Sequence, residues 1–209
     1  MRTSAKPSIA IEVDHVSKRY GKKPALHDVT ARFESDSLHL LVGVNGSGKS
    51  TLLKCIMGLV RHEGAVHRPH IRIGYAPEEY VMPYYMTIFD FLEGIASIRS
   101  PLKEGLHEEI TALLEYFALA PRSRQAIGKL SNGMRQKVNL IQAFLLRPKI
   151  ILLDEPLRAL DAESQIKTVG LIKERMGESL ILISTHNPDQ FKIRARRVWR
   201  MNSGEMEET

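Results

Sequence analysis

Apolar residues fall at alternate positions from Ile9 to Val13, the period of a strand with one buried face. Tyr20-Gly21 predicts a turn, and Ala25 to Phe33 a second strand. Leu38 to Val42 is nearly continuous in apolar residues, as suits a strand covered on both faces. A glycine-rich loop separates it from a helix predicted over about Lys49 to Leu59. Gly64 to Tyr75 reads as a short hairpin-like stretch containing Ile71 and Ile73. From about Thr87 to Leu146 the period becomes helical, with apolar residues of Leu106 to Leu119 at helical spacing. Ser131 can cap the next helix, which must end before Pro148. Strands return at Ile150 to Leu153, Leu180 to Ser184 and Val198 to Met201, with a helix from about Ala162 to Met176 between the first two. This order predicts one α/β core, residues 1–86 and 147–209, with a helical subdomain of about 87–146 inserted between its halves.

The chain's 209 residues suit a single domain of that kind. Its longest apolar runs are strand-length, far short of the ~20 residues that span a bilayer. Met1 to Ile11 holds no apolar stretch of signal-peptide kind, so the expected location is the cytosol. The lone cysteine, Cys55, lies among apolar residues of a predicted helix and reads as a packed thiol. The net charge of +6 is mild and is densest at Lys192, Arg194, Arg196, Arg197 and Arg200. A solvated face is the first reading of that cluster, a surface near anionic lipid the second. Nucleic acid comes last and is not expected as a partner, because no recognised binding motif accompanies the charge.

Candidate chemistry is concentrated at two strand ends. Gly43-Val-Asn-Gly-Ser-Gly48-Lys49-Ser50-Thr51 matches G-x-x-x-x-G-K-[ST], with a strand before it and a helix after it. Its glycines free the backbone N–H groups of Asn45, Gly46, Ser47 and Gly48 to wrap an anion, and the helix start adds a positive dipole end. Lys49 would neutralise β- and γ-phosphate charge, and Ser50 would ligate Mg²⁺. The second end is Ile150-Ile-Leu-Leu-Asp154-Glu155-Pro156. Adjacent residues at a strand end point different ways, so Asp154 can hold the metal while Glu155 acts as general base. Together the two ends predict a nucleoside-triphosphate hydrolase.

A third motif narrows the class. Leu130-Ser131-Asn132-Gly133-Met134-Arg135-Gln136 resembles the LSGGQ signature of ABC ATPases, the nucleotide-binding domains of ABC transporters. The resemblance runs along nearly the whole chain, in order. Tyr20 matches the aromatic that stacks on adenine, Pro77-Glu78 falls at the Q-loop, Leu160-Asp161 at the D-loop, and His186 at the switch histidine. No N-K-x-D guanine-reading sequence is present. The resemblance implies a P-loop NTPase core with a mixed β-sheet, an N-terminal antiparallel β-subdomain and an inserted α-helical subdomain. It implies catalysis by Lys49, Glu155 and His186 and a metal site of Ser50, Glu78 and Asp154. ATP would contact Tyr20, residues Asn45 through Thr51, Glu78 and Asp154, while Ser131, Asn132, Gly133 and Asp161 would meet the ATP of a second subunit. Such a head-to-tail dimer, favoured as a homodimer, would drive a separate transmembrane permease from the cytoplasmic face of the membrane.

Four positions depart from the family pattern. Glu78 replaces glutamine, Asn132 a glycine, Met134 a glutamine, and Arg158 a serine. The form LS-x-GM-[RK] with Pro-Glu at the Q-loop resembles ATPases of ABC-2-type exporters of drugs, antibiotics and peptides. Five of the twelve Phe and Tyr residues lie between positions 80 and 91: Tyr80, Tyr84, Tyr85, Phe89 and Phe91. Met82 and Met86 are interleaved, a composition typical of interfaces. Phe89 and Phe91 are expected to pack in a helix core, and the tyrosines to form a loop, so the permease is expected to dock near Glu78 to Phe91. An ABC ATPase acting on nucleic acid or the ribosome, and an ATP-binding regulator without hydrolysis, are the rival functions.

Overall fold

The computed structural model of the chain describes residues 9–100 and 104–209. Residues 1–8, most of the segment read as free of a signal sequence, and 101–103, inside the helical stretch, lie outside the described residues. Two strands, β1 (Ala10–Tyr20) and β2 (Lys23–Glu34), pair antiparallel across the Gly21 turn. Both outrun the predicted bounds. The register shifts between Val13 and Val16, with His15 at φ 50° and Asp28 opposite at φ 47°. That bulge throws the alternation out of phase, so the apolar period stops at Val13 although pairing continues to Tyr20.

The predicted hairpin between Gly64 and Tyr75 is not there. Strand β4 (Glu63–His67) joins β1 to complete a three-stranded antiparallel sheet, β2-β1-β4. Strand β5 (Ile73–Ala76) belongs to a second sheet instead. The two share no register because the chain passes from one sheet to the other over Arg68 to Arg72.

The second sheet has the order β5-β6-β7-β3-β8-β9. Its strands β3 (Leu38–Val42), β6 (Ile150–Asp154), β7 (Leu180–Thr185) and β8 (Arg196–Asn202) run parallel with β5. Every residue of β6 and β7 is buried, as their unbroken apolar runs require. The edge strand β9 (Glu205–Glu208) returns antiparallel to β8 through a tight turn with Ser203 and Gly204 both at positive φ. Sequence reading misses β9 because only Met206 in it is apolar.

Helix α1 (Lys49–Met57) leaves the phosphate-type loop and stops two residues before Leu59, where the N–H of residue 58 turns back to Cys55 O at 2.9 Å. Cys55 is buried, and burial pushes its thiol up to about 11, so it stays protonated and packs as an apolar group. Helices α2 (Ile88–Arg99) and α3 (Leu106–Tyr116) precede α4 (Asn132–Phe144) and α5 (Ala162–Arg175). Thr87 caps α2, accepting from Asp90 N–H at 3.1 Å. Phe89 and Phe91 are half-buried against the core, as expected.

The last of these inserted helices, α4, is bound to the sheet by side-chain amides. Gln142 donates to Tyr75 O at 2.5 Å, Asn139 to Pro77 O at 2.9 Å and Gln136 to Pro156 O at 3.0 Å. All three amides are buried, and their spacing of three residues keeps them on one helix face.

The basic cluster at 192–200 divides. Arg196 donates to Pro188 O and Phe191 O at 3.1 and 2.8 Å, and Arg197 pairs with Glu208 at 3.3 Å. Lys192, Arg194 and Arg200 are exposed.

His39 on β3 is fully buried. Trp199 Nε1–H donates to its Nδ1 at 3.1 Å, so Nε2 carries the proton and donates to Glu34 O at 2.8 Å. Burial pushes its pKa below the ordinary 6.5. Above 6.5 the ring is neutral folded and unfolded, and pH changes nothing through it. Below 6.5 the unfolded chain takes up a proton that the fold refuses, so stability falls with falling pH until the folded pKa is reached. The expected slope from this one group approaches ~1.4 kcal/mol per pH unit. Thermal melts of wild type and His39→Gln between pH 7 and pH 5 check it, since the variant should lose that part of the slope.

Candidate functional site

Strand β3 ends at Val42, and the chain turns through Gly43 to Gly48 before α1 begins. Gly48 caps the helix at φ 111°, and a Cβ there would stand 2.7 Å from Ala25 O. No other residue type fits, because both the dihedral and the space forbid a side chain. The Lys49 side chain is buried in this loop, donating to Gly43 O at 2.7 Å and Val44 O at 3.1 Å. Its stem is therefore held, and its ammonium lies on the loop's inner side.

Strand β6 delivers the two carboxylates. Asp154 Oδ1 accepts from Ser50 Oγ at 3.1 Å and from Ser184 Oγ, which joins the start of α1 to β6 and β7. Glu155 follows at φ 47°, a left-handed conformation that turns its side chain away from that of Asp154. The Glu155 N–H is pinned by Ser184 O at 3.1 Å and Ser184 Oγ at 3.2 Å. His186 Nδ1 stands 2.9 Å from Glu155 Oε2, and since a carboxylate only accepts, Nδ1 carries the proton. The other oxygen, Glu155 Oε1, is buried without a hydrogen-bond partner among the described residues. A buried acceptor left open in this way suits a water molecule.

A cavity of about 260 Å³ gathers most of the expected nucleotide contacts. Tyr20, Asn45, Gly46, Gly48, Lys49, Ser50, Thr51, Glu78 and Glu155 all line it. Tyr20 is 48% exposed at its rim, with Lys18 Nζ 4.9 Å from the ring centroid. Lys23, Pro24 and Ala25 also line the cavity, residues the sequence reading passed over because the start of β2 carries no motif. Ser47 differs from expectation: its side chain is buried beneath the loop and its N–H is taken by Val44 O at 3.2 Å. Ser184 was also missed, although a serine after the apolar run Leu180 to Ile183 is the signal for it.

The signature residues sit elsewhere. Ser131 caps α4, accepting from Met134 N–H at 3.3 Å, and Asn132 Oδ1 accepts from Arg135 at 2.5 Å. Ser131 and Asn132 are exposed. A Cβ at Gly133 would stand 2.7 Å from Ala159 O, so this glycine lets α4 close on the loop after β6. Asp161 precedes α5 as its cap. Its carboxylate caps α5, accepting from Ser164 N–H at 2.8 Å, and pairs with Lys137 at 3.2 Å. The Ser164 backbone N–H is the main reason its pKa falls to about 2. The side chain expected to reach a second subunit thus also serves its own chain, while staying 61% exposed.

A family model described as ABC transporter matches residues 26–158. The chain belongs to the ABC transporter family. The sulfate/thiosulfate import ATP-binding protein of Escherichia coli is 32% identical over 218 residues, covering 96% of this chain and 60% of the relative. That of Bacillus cereus strain ATCC 10987 is 30% identical over 217 residues, with 96% and 61% covered. The chain thus spans about three fifths of the length of these relatives. A solved structure of the ATP binding subunit of an ABC transporter superposes with a TM-score of 0.88 at 27% identity, covering 95% of this chain and 89% of that one. The fold expected from the signature, a cassette with mixed and antiparallel sheets, is therefore the fold observed. The exporter resemblance has no support here, since both relatives are import proteins by name.

Proposed function

We propose that the chain hydrolyses ATP within a head-to-tail dimer of itself and drives substrate movement through a separate membrane protein. The observation that carries this is the divergence of Asp154 and Glu155 at the end of β6, one held on Ser50 and the other on His186. Phosphates would lie against the loop N–H groups and Lys49, with adenine on the Tyr20 ring. Ser50 and Asp154 offer two hard oxygens 3.1 Å apart, the donor chemistry that Mg²⁺ takes. Mg²⁺, when bound, would offset charge on the phosphate oxygens. Glu155 Oε1 would take the proton of the attacking water, and His186 holds the other oxygen so that Glu155 stays aimed.

Ser131 and Gly133 begin α4 on an exposed face, apart from the residues that line their own chain's P-loop cavity. A helix start with a serine cap is a ready anion site. The phosphate it would meet is that of a second copy, and one chain carrying both half-sites favours a homodimer. The segment 87–146 would act as the arm that carries this half-site.

Among the described residues no helix is long and apolar enough to cross a membrane. Val81, Tyr84 and Tyr85 project at 97%, 62% and 86% exposure beside Glu78. Met82, expected among them, is buried in the core. The three exposed residues are the surface we assign to a permease, holding the chain at the cytoplasmic face. Transport direction belongs to that partner, and the relatives' names favour import over the export suggested by the signature. Affinity purification of the tagged chain from membranes should bring down a protein with several predicted spans. Tyr84→Ser with Tyr85→Ser should remove that protein and leave the soluble ATPase rate intact. Undiminished assembly of the double variant would refute the docking surface.

A further inference from the structure

Two of the four departures from the family pattern meet in space. Glu78, in the loop after β5, forms an ion pair with Arg158, in the loop after β6, eighty positions away. Both loops are fastened from behind by α4, through Asn139 to Pro77 O and Gln136 to Pro156 O. The two amides are themselves 3.4 Å apart. The loops are thus bracketed twice, by buried amides at the back and by the ion pair at the front.

The pair's position gives it a role. Glu78 and Glu155 line both the P-loop cavity and a neighbouring cavity of about 390 Å³, so they form the partition between the two. Arg158 lines only the neighbouring cavity. It therefore reaches Glu78 from the neighbouring cavity, on the side away from the nucleotide. Glutamate in place of glutamine puts a second carboxylate beside Glu155 on the wall of a cavity that would hold a polyanion. Repulsion between that charge and a triphosphate acts over several ångströms and weakens binding unless a cation offsets it.

We propose that Arg158 is a positioning residue that holds Glu78 on the partition and offsets its charge, so that the two departures are one compensated pair that sets ATP affinity. Arg158 lies outside the lining of its own chain's P-loop cavity, and its effect there passes through Glu78.

The test is a double-mutant cycle on ATP affinity, read by a fluorescent ATP analogue with and without Mg²⁺, using wild type, Glu78→Gln, Arg158→Ser and the double variant. Arg158→Ser alone should weaken ATP binding about tenfold, within the range of coupled neighbouring charges. The loss should be larger without Mg²⁺, because the metal screens the phosphates. In the Glu78→Gln background the same change should cost less than about twofold. Arg158→Lys, which keeps the charge, should restore most of the affinity. Thermal melts confirm that each variant is folded. An equal loss in both backgrounds, or a loss that Lys does not repair, overturns the proposal.

Discussion

Glu155→Gln is expected to lower ATP turnover by about 10²- to 10⁴-fold, the range a positioned general base supplies. Glutamine has the size of glutamate and can still accept the His186 Nδ1–H bond, which stands at 2.9 Å in the wild type. What it loses is the basic oxygen. Oε1 is the buried, unpartnered atom, and an amide there cannot take a proton from water. ATP affinity should therefore stay near the wild-type value while phosphate release nearly stops. A regulator that only binds ATP would behave otherwise: wild type and variant would hydrolyse equally slowly. Parallel measurements of phosphate release and of ATP binding separate the two.

Lys49→Met attacks the earlier step. The methionine keeps the unbranched stem that lies buried in the loop but removes the ammonium. A hydrogen bond to a charged group is worth about 1.5–3 kcal/mol, so ATP should bind roughly 10- to 150-fold more weakly. Turnover at saturating ATP should fall as well, since the same charge serves the γ-phosphate as it departs. The carbonyls of Gly43 and Val44 lose their donor in the variant, so its melting temperature should be compared with wild type. An unchanged ATP affinity in a folded variant would remove Lys49 from the site.

What the sequence shows of this molecule follows the range of the interactions involved. Strands β3, β6 and β7 are legible because both faces are covered, leaving no place for polar residues. The P-loop is legible because strand, glycines and helix start are contiguous and act through local backbone geometry. The extent of β1 is hidden by the bulge at His15, which a period-two pattern cannot cross. The buried roles of the Gln136, Asn139 and Gln142 amides leave no mark in the sequence. Their partners are the carbonyls of Pro156, Pro77 and Tyr75, and only the fold brings those to α4. Glu78 and Arg158 each stand out as a departure, but nothing in a linear reading joins them. Asp161 shows a role that the motif does not announce, since its carboxylate also caps its own helix.

One copy of the P-loop is expected to be incomplete without the Ser131 face of another. Mixing two variants tests it most directly: Lys49→Met, which lacks a working P-loop, and Ser131→Arg, which fills the signature face. Each alone should show little turnover. An equimolar mixture forms mixed dimers, each with one P-loop from the second variant facing one intact signature from the first. Turnover should recover to roughly a quarter of wild type, because about half the dimers are mixed and carry one good site of two. Full activity of Ser131→Arg alone, or a mixture as inactive as its components, would contradict the shared site.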